Sequence, residues 1–129
     1  MRKNYLEKPK TSKKRISVQS AKGKGRKGQQ LVRDVLLEAF PALEPDDIRS
    51  TSMGAGGADL QLSPAAKRLI PYEFEVKVRA KGFTPLYDAL KQADGHGDLD
   101  AVAVVKQDRC QPLAVIPLDL FVKLIGGGK

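Results

Sequence analysis

Apolar residues at helical spacing follow Gly28. They recur every three or four positions until Pro41 and comprise Leu31, Val32, Val35, Leu36, Ala39 and Phe40. This spacing is typical of an amphipathic helix, and the proline ends it because proline has no main-chain N–H to continue the hydrogen bonding. The pattern therefore predicts a helix over about residues 28–40.

A two-residue alternation marks residues 70–79. The apolar positions are Phe74, Val76 and Val78, and the charged positions between and around them are Glu73, Glu75, Lys77 and Arg79. Side chains two residues apart in a strand project from the same face. The alternation predicts the longest strand of the chain, with one apolar face and one charged face.

Shorter patterns predict the remaining elements. They are strands over 48–53 and 59–63 joined by a tight turn at 54–57, a connection over 63–68, a helix that Thr84 and Pro85 open and that runs to about Ala93, a strand over 101–106 buried on both faces, a strand over 113–116, and a terminal helix over 117–125. The order α-β-β-β-α-β-β-α predicts an α/β protein with a mixed central sheet flanked by helices.

Positive charge is concentrated at the N-terminus. Residues 1–28 hold eleven Lys and Arg against one acid, which leaves 12 basic and 14 acidic residues, a net charge of −2, in the remainder. A like-charged, weakly hydrophobic segment buries too little apolar surface to order itself, so we expect a disordered arm over 1–25, one domain over 26–125 and a frayed end over 126–129. Such arms typically bind nucleic acid by releasing counterions from phosphates; a solubilising tail or a targeting signal are the alternatives.

Composition excludes several classes of protein. Cys110 is the single cysteine, which excludes an internal disulfide framework and a multi-cysteine zinc site and fits a reducing compartment. No apolar run approaches the roughly 18 residues that span a bilayer, and the glycines of 23–28 lack the preceding strand of a nucleotide-binding loop. We therefore expect a cytoplasmic protein with no membrane association and no nucleotide cofactor.

Charged residues on two neighbouring predicted strands form the candidate site. Asp59 follows the glycine-rich turn, and Glu75 and Lys77 stand two residues apart on the longest strand. Magnesium prefers oxygen ligands, commonly one or two carboxylates with waters and a substrate phosphate. Lys77 could orient or deprotonate a water, or neutralise charge that develops on the phosphate. This combination indicates a site for a divalent metal ion and a phosphate.

Each of these residues also has a purely structural interpretation. Glu-x-Lys on a strand is usually part of a solvated face, and an aspartate after glycines is often a turn residue. The order of the motifs between two predicted helices favours the functional interpretation.

The arrangement resembles the PD-(D/E)XK nuclease superfamily, whose fold is the restriction-endonuclease-like core, and within it the archaeal-type Holliday junction resolvases that phages also encode. The likeness covers roughly residues 26–116. It lies in a basic Lys-Gly segment that opens the first helix, a serine before the glycine-flanked Asp59, the Glu-Val-Lys of residues 75–77, and a glutamine on the second helix.

The resemblance implies Mg²⁺-dependent hydrolysis of DNA, with Mn²⁺ able to substitute, by paired symmetric nicks across a four-way junction. Symmetric nicks need two active sites, which implies a homodimer whose two-fold axis matches that of the junction. The expected metal ligands are Asp59, Glu75 and Val76. The expected catalytic residues are Asp59, Glu75, Lys77, Gln30, Gln92 and Ser52, and the expected DNA contacts are Lys24, Arg26, Lys27, Ser50, Arg79 and Lys81.

Two positions depart from the pattern of the family. The family usually carries a glutamate on the first helix near the metal, whereas this helix offers Gln29, Gln30 and Asp34. Gln30 could hold a metal-bound water, or Asp34 could be the acid in another register. Ala58 stands where a proline is expected before the first acid.

Other functions stay open at the level of sequence. One is a small nuclease of the same superfamily that acts on flaps, forks or DNA ends. The other is a non-catalytic protein that binds DNA through its basic arm.

Deletion of residues 2–25 is expected to weaken binding to DNA, most strongly at low salt, because it removes most of the cations that displace counterions from phosphates. Gel-shift titration at two salt concentrations measures this effect. Unchanged affinity at both concentrations would exclude a DNA-binding arm.

Overall fold

The computed structural model describes residues 18–51 and 59–128, which fall into two compact units. Residues 18–51, 59–78 and 122–128 belong to the first unit, and residues 79–121 form the second. The elements are α1 (Val18–Ala39), a 3₁₀ turn (Pro45–Asp47), β1 (Ile48–Ser50), β2 (Leu60–Leu62), α2 (Pro64–Leu69), α3 (Thr84–Asp94), β3 (Ala103–Val105), β4 (Leu113–Val115) and α4 (Leu118–Leu124). The α/β class is confirmed. Instead of one mixed sheet, the described strands form two small antiparallel sheets, β1–β2 and β3–β4.

Helix α1 begins ten residues before the start that the apolar pattern predicts. Residues 18–25 of the expected disordered arm are therefore helical here, and residues 1–17 lie outside the described part of the chain. The buried stripe of α1 contains Gln29 and Leu36 and continues into Phe40, the residue after the helix, whereas Leu31 of the predicted apolar set is 60% exposed. Spacings of seven and four residues place the three buried residues on one helical face.

The first unit is built around the β1–β2 hairpin. Ile48 pairs with Leu62 and Ser50 pairs with Leu60, so these side chains share one face of the sheet. Ile48 and Leu60 are almost completely buried, and they form the core together with Leu36 of α1. The predicted turn at 54–57 lies outside the described residues.

The predicted connection over 63–68 is wrong, because the chain forms α2 there. Ser63 is the N-cap: its hydroxyl accepts a hydrogen bond from the Ala66 N–H at 3.1 Å, and Pro64 follows in the first turn. A serine followed by proline is a helix-start signal, because the hydroxyl satisfies a free N–H and the proline needs none.

The predicted strand over 70–79 is not formed as part of a sheet. Its alternation is real, since Phe74 and Val76 are half-buried while Glu75 and Lys77 are exposed. Asp59, the residue before β2, contacts the segment through two hydrogen bonds: its N–H donates to Phe74 O, and a side-chain oxygen accepts the Val76 N–H. Because a carboxylate occupies the place of a main-chain carbonyl, no regular ladder continues from this contact.

The second unit packs α3 against the β3–β4 hairpin. Leu90, Ala101 and Ala103 form its buried cluster. The prediction that residues 101–106 are buried on both faces is wrong, because Val104 is 70% exposed. The α3 N-cap is Phe83 and not Thr84, and Phe83 makes no side-chain cap.

The C-terminal glycines, expected to fray, close α4 with hydrogen bonds. The Gly127 N–H donates to Val122 O at 2.8 Å, the Gly126 N–H donates to Lys123 O at 3.1 Å, and Gly126 has a φ of 103°. This pattern is a Schellman motif, in which glycine supplies the left-handed residue. None of the described helices combines the length and the hydropathy that crossing a membrane requires.

Asp47 links the 3₁₀ turn to the start of α2. Its carboxylate accepts hydrogen bonds from Ser63 Oγ at 2.6 Å and from the Glu44 N–H at 2.7 Å. These two donors, that of Ser63 first, hold the pKa of Asp47 below its ordinary value against a small opposing effect of desolvation. The charged form of Asp47 is therefore the form that stabilises this turn.

Asp47→Asn is expected to lower the free energy of unfolding at neutral pH, by an amount that shrinks as the pH falls. A carboxylate with a depressed pKa stabilises the fold above its unfolded pKa of about 4, and the contribution disappears as the pH falls through the lower folded value. Urea unfolding at about pH 7 and about pH 3 measures the difference from wild type. Asp46→Asn, at a side chain that is 89% exposed, is the control. A deficit that is the same at both pH values would contradict the assignment.

Candidate active site

Asp59 lies between β1 and the segment 74–78. Its main-chain oxygen accepts the Thr51 N–H at 2.9 Å, which extends the β1–β2 pairing by one residue. On its other side, the Asp59 N–H donates to Phe74 O at 3.2 Å and its Oδ2 accepts the Val76 N–H at 2.6 Å. The carboxylate is thus half-buried and fixed against residues 74–76.

These contacts place Asp59 opposite Glu75. In an extended chain, the carbonyl of one residue and the N–H of the residue two positions later point to the same side. Phe74 O and the Val76 N–H flank Glu75, and both are directed at Asp59. The two candidate acids are therefore neighbours across adjacent chain segments.

Glu75 and Lys77 form an ion pair on the exposed side of the segment. Lys77 Nζ lies 3.1 Å from Glu75 Oε1, and the two side chains are 60% and 61% exposed. The contact confirms that positions two residues apart share a face here. An exposed pair of this kind contributes only about 0–1 kcal/mol to stability, so stability alone gives little reason for these two residues.

The donor set fits a magnesium ion held largely by water. Asp59 and Glu75 supply two carboxylates on adjacent segments, and Val76 can add its main-chain oxygen. Within the described ranges no group of three or more His, Cys, Asp or Glu side chains converges. Mg²⁺ is typically bound by one or two carboxylates and retains several waters, so this set suits it better than zinc.

Among the first-helix candidates, α1 buries Gln29 and exposes the other two. Gln29 is 5% exposed, and its Oε1 is buried with no hydrogen-bond partner among the described residues. Gln30 is exposed, and Asp34 is 70% exposed and pairs with Arg33 at 3.3 Å. An acceptor left unsatisfied in a buried position is a feature that needs a ligand or a water to explain it.

One of the two candidate serines, Ser50, belongs to the described residues. Ser50 ends β1, and its Oγ is buried without a hydrogen-bond partner in the described part of the chain. Ser52 lies outside the described residues.

The expected DNA-contacting cations lie in both units. On α1, Lys24 is half-buried and Arg26 and Lys27 are exposed. In the second unit, Lys81 is exposed, and the Arg79 guanidinium lies 5.5 Å from the centre of the Phe83 ring. Gln92 is exposed on α3 of that unit.

Burial of Gln29 is the feature that the apolar pattern did not predict. The signal was present, since Gln29 precedes Leu36 by seven residues and Phe40 by eleven, the spacing of one helical face. A glutamine at a core position of an otherwise apolar stripe is the sequence signal that indicates its burial.

Gly28 allows α1 to approach the segment that carries Glu75 and Lys77. A Cβ at this position would lie 3.3 Å from Val76 Cγ1 and would overlap the side chain of Val78. The absence of a side chain therefore sets the distance between the helix and this segment.

Gly28→Ala is expected to lower the free energy of unfolding by about 1–3 kcal/mol, because the added methyl group must displace both valines. Gly23→Ala in the same helix is the matched control, since a Cβ there meets no atom within 4 Å. The control should be neutral or more stable by up to about 1 kcal/mol, the usual gain from replacing a helical glycine. Urea unfolding measures both variants, and equal stabilisation by both would contradict the close approach.

Comparison with protein families, with curated proteins and with solved structures found no match to this chain.

Proposed function

We propose that this chain is a metal-dependent, structure-selective endodeoxyribonuclease with a restriction-endonuclease-like core, and that it resolves four-way DNA junctions by paired nicks. The single observation that supports the proposal best is the position of Asp59 opposite Glu75, with Lys77 paired to Glu75 at 3.1 Å. This arrangement places two carboxylates and one ammonium group on neighbouring segments.

Asp59, Glu75 and the main-chain oxygen of Val76 are the residues that would hold Mg²⁺, with Mn²⁺ as a substitute. When bound, the ion would polarise the phosphate and lower the pKa of a coordinated water. The hydrogen bond from the Val76 N–H already fixes the Asp59 side chain. Binding of the ion would therefore cost little further side-chain entropy.

Lys77 is the residue proposed to act on the phosphate. Its ammonium group is held beside Glu75, and the side chain is 60% exposed, so it remains accessible to a polyanion. In the reaction it would stabilise the negative charge that develops on the phosphodiester, or orient the attacking water. Gln30, Gln92 and Ser52 remain proposed catalytic residues.

DNA is the polyanion that the charge distribution favours. Eleven of the 23 basic residues lie within residues 1–28, and Arg26 and Lys27 of that segment are exposed on α1. Together with Lys24, Arg79 and Lys81 they are the proposed contacts to the DNA backbone; Ser50 is not among them, because its Oγ is buried. A homodimer acting in the cytoplasm, or in the host cytoplasm if a phage encodes it, would supply the two active sites that symmetric nicking requires.

Asp59→Asn separates the catalytic role of the carboxylate from its structural role. The amide oxygen can still accept the Val76 N–H, so we expect the fold and the affinity for a synthetic junction to persist. Without the negative charge, cleavage in Mg²⁺ should fall by about 100-fold or more. Asp59→Ala also loses the hydrogen bond, which should lower the free energy of unfolding by about 1.5–3 kcal/mol.

Lys77→Ala is expected to abolish cleavage while it changes the free energy of unfolding by less than about 0.5 kcal/mol, as is usual for an exposed position. Lys67→Ala, at an exposed lysine of α2 in the same unit, is the matched control and should cleave like wild type. A chelator should reproduce the loss of cleavage in the wild-type protein.

The choice of DNA substrate tests the specificity. Symmetric nicks in both strands of a four-way junction would support the resolvase, and cleavage confined to flaps, forks or ends would identify another nuclease of the same kind. If the wild-type protein cuts no branched DNA in Mg²⁺ or Mn²⁺ yet binds it, the protein is a non-catalytic DNA-binding protein.

A further inference from the structure

Helix α1 and strand β1 each carry a buried oxygen atom that lacks a hydrogen bond. Within the described residues, neither Gln29 Oε1 nor Ser50 Oγ has a partner, and both atoms are sealed from bulk solvent. Gln29 as a whole is 95% buried, since only 5% of its surface is exposed. Buried polar atoms in folded proteins nearly always have a partner, which can be an ordered water.

The packing of α1 on β1 brings Gln29 and Ser50 into the same part of the interface. Arg33 Nε donates to Ile48 O at 2.6 Å and thereby fixes which turn of the helix lies over which residue of the strand. From Arg33, one helical turn back to Gln29 covers about 6 Å. From Ile48, two residues forward to Ser50 cover about 6.6 Å.

The contacts beyond the end of β1 indicate that these two steps run in the same direction. The Thr51 N–H binds Asp59, which binds Val76, and Val76 lies beside Gly28 in the N-terminal part of α1. Ser50 also projects from the same face as Ile48, which is the face that packs against the helix. Gln29 and Ser50 therefore face each other across the interface between α1 and β1.

Further contacts connect this place to the candidate active site. Ser50 pairs with Leu60, the chain neighbour of Asp59. Asp59 binds the Val76 N–H, and Val76 packs against Gly28, the chain neighbour of Gln29. Ser50 and Gln29 are thus each adjacent, by strand pairing or along the chain, to a residue next to the contact that holds Asp59.

We propose that Gln29 Oε1 and Ser50 Oγ bind one ordered water molecule, which joins α1 to β1 behind Asp59 and keeps the carboxylate in position. The amide oxygen can only accept a hydrogen bond, whereas the hydroxyl can donate or accept. A water molecule donates to the first and exchanges a hydrogen bond with the second, so it satisfies both atoms. Gln29 and Ser50 are thereby positioning residues, and neither touches the substrate.

A thermodynamic cycle of Gln29→Met, Ser50→Ala and the double variant tests the shared water. Each replacement removes one hydrogen-bonding oxygen while it largely keeps the volume of the side chain. If one water joins the two atoms, each single variant leaves that water underbonded and raises the unfolding equilibrium constant about fivefold. The double variant should then also show a change of about fivefold and not of about twenty-five-fold, because the second replacement removes no further interaction.

If the two oxygens share no water, the unfolding equilibrium constants of the variants change in a different way. If the oxygens have no ligand, each replacement removes an unpaired buried dipole, so both single variants are as stable as wild type or more stable, and their effects multiply. Gln30→Met, at the exposed neighbouring position, controls for the change of glutamine to methionine in α1 and should leave the unfolding constant unchanged. Multiplying effects of Gln29→Met and Ser50→Ala would overturn the proposal.

The cycle is measured in chelator and again in Mg²⁺. Coupling in both buffers identifies a water that belongs to the fold, and coupling only in Mg²⁺ identifies solvent of a hydrated cation; either supports the site.

A crystal structure of the wild-type protein provides a second measurement if a variant fails to fold. A density peak within hydrogen-bond distance of both oxygens is expected, and the absence of this peak in both buffers overturns the proposal. No cleavage is measured, so an inactive protein that shows the coupling would keep this site and lose only the nuclease.

Discussion

The candidate site depends on the way in which Asp59 is held. Its main chain pairs with β1 on one side, while its N–H and its carboxylate bind the segment around Glu75 on the other. A side-chain oxygen takes the place that a main-chain carbonyl would fill in a regular sheet. This substitution interrupts the ladder and, at the same place, positions one acid beside another.

Residues 70–79 alternate like a strand but do not form one in a sheet. The contact between the Asp59 carboxylate and the Val76 N–H explains why the main-chain pairing stops there. The charged face carries the Glu75–Lys77 pair, which adds little to stability because it is exposed. On the apolar face, Val76 and Val78 contact α1 at Gly28. The valines of this segment therefore make its packing contacts, while Glu75 and Lys77 remain exposed.

Helix α1 packs into the core and also carries a buried polar side chain. Leu36 and Phe40 bury its C-terminal half in the core, and Gln29 extends the same stripe with a side chain that has to be satisfied inside the protein. Arg33 lies between them and binds main-chain oxygens of Ile48 and Pro45, which aligns the helix with β1. A polar group at a core position is costly unless it is paired, so its presence beside the candidate site favours a bound ligand or water over chance.

The sequence by itself determined the α/β class, the approximate positions of α1, α3 and α4, and the pairing of Glu75 with Lys77 on one face, because these follow from local periodicity and turn chemistry. It missed α2, although the Ser63–Pro64 start signal was present. Only the tertiary structure decided that the strands form separate two-stranded sheets, that Asp59 lies opposite Glu75, and that α1 buries Gln29 while Gln30 faces solvent. These features arise from contacts between segments distant along the chain, and the register of such contacts is set by packing and hydrogen bonds that no local pattern encodes.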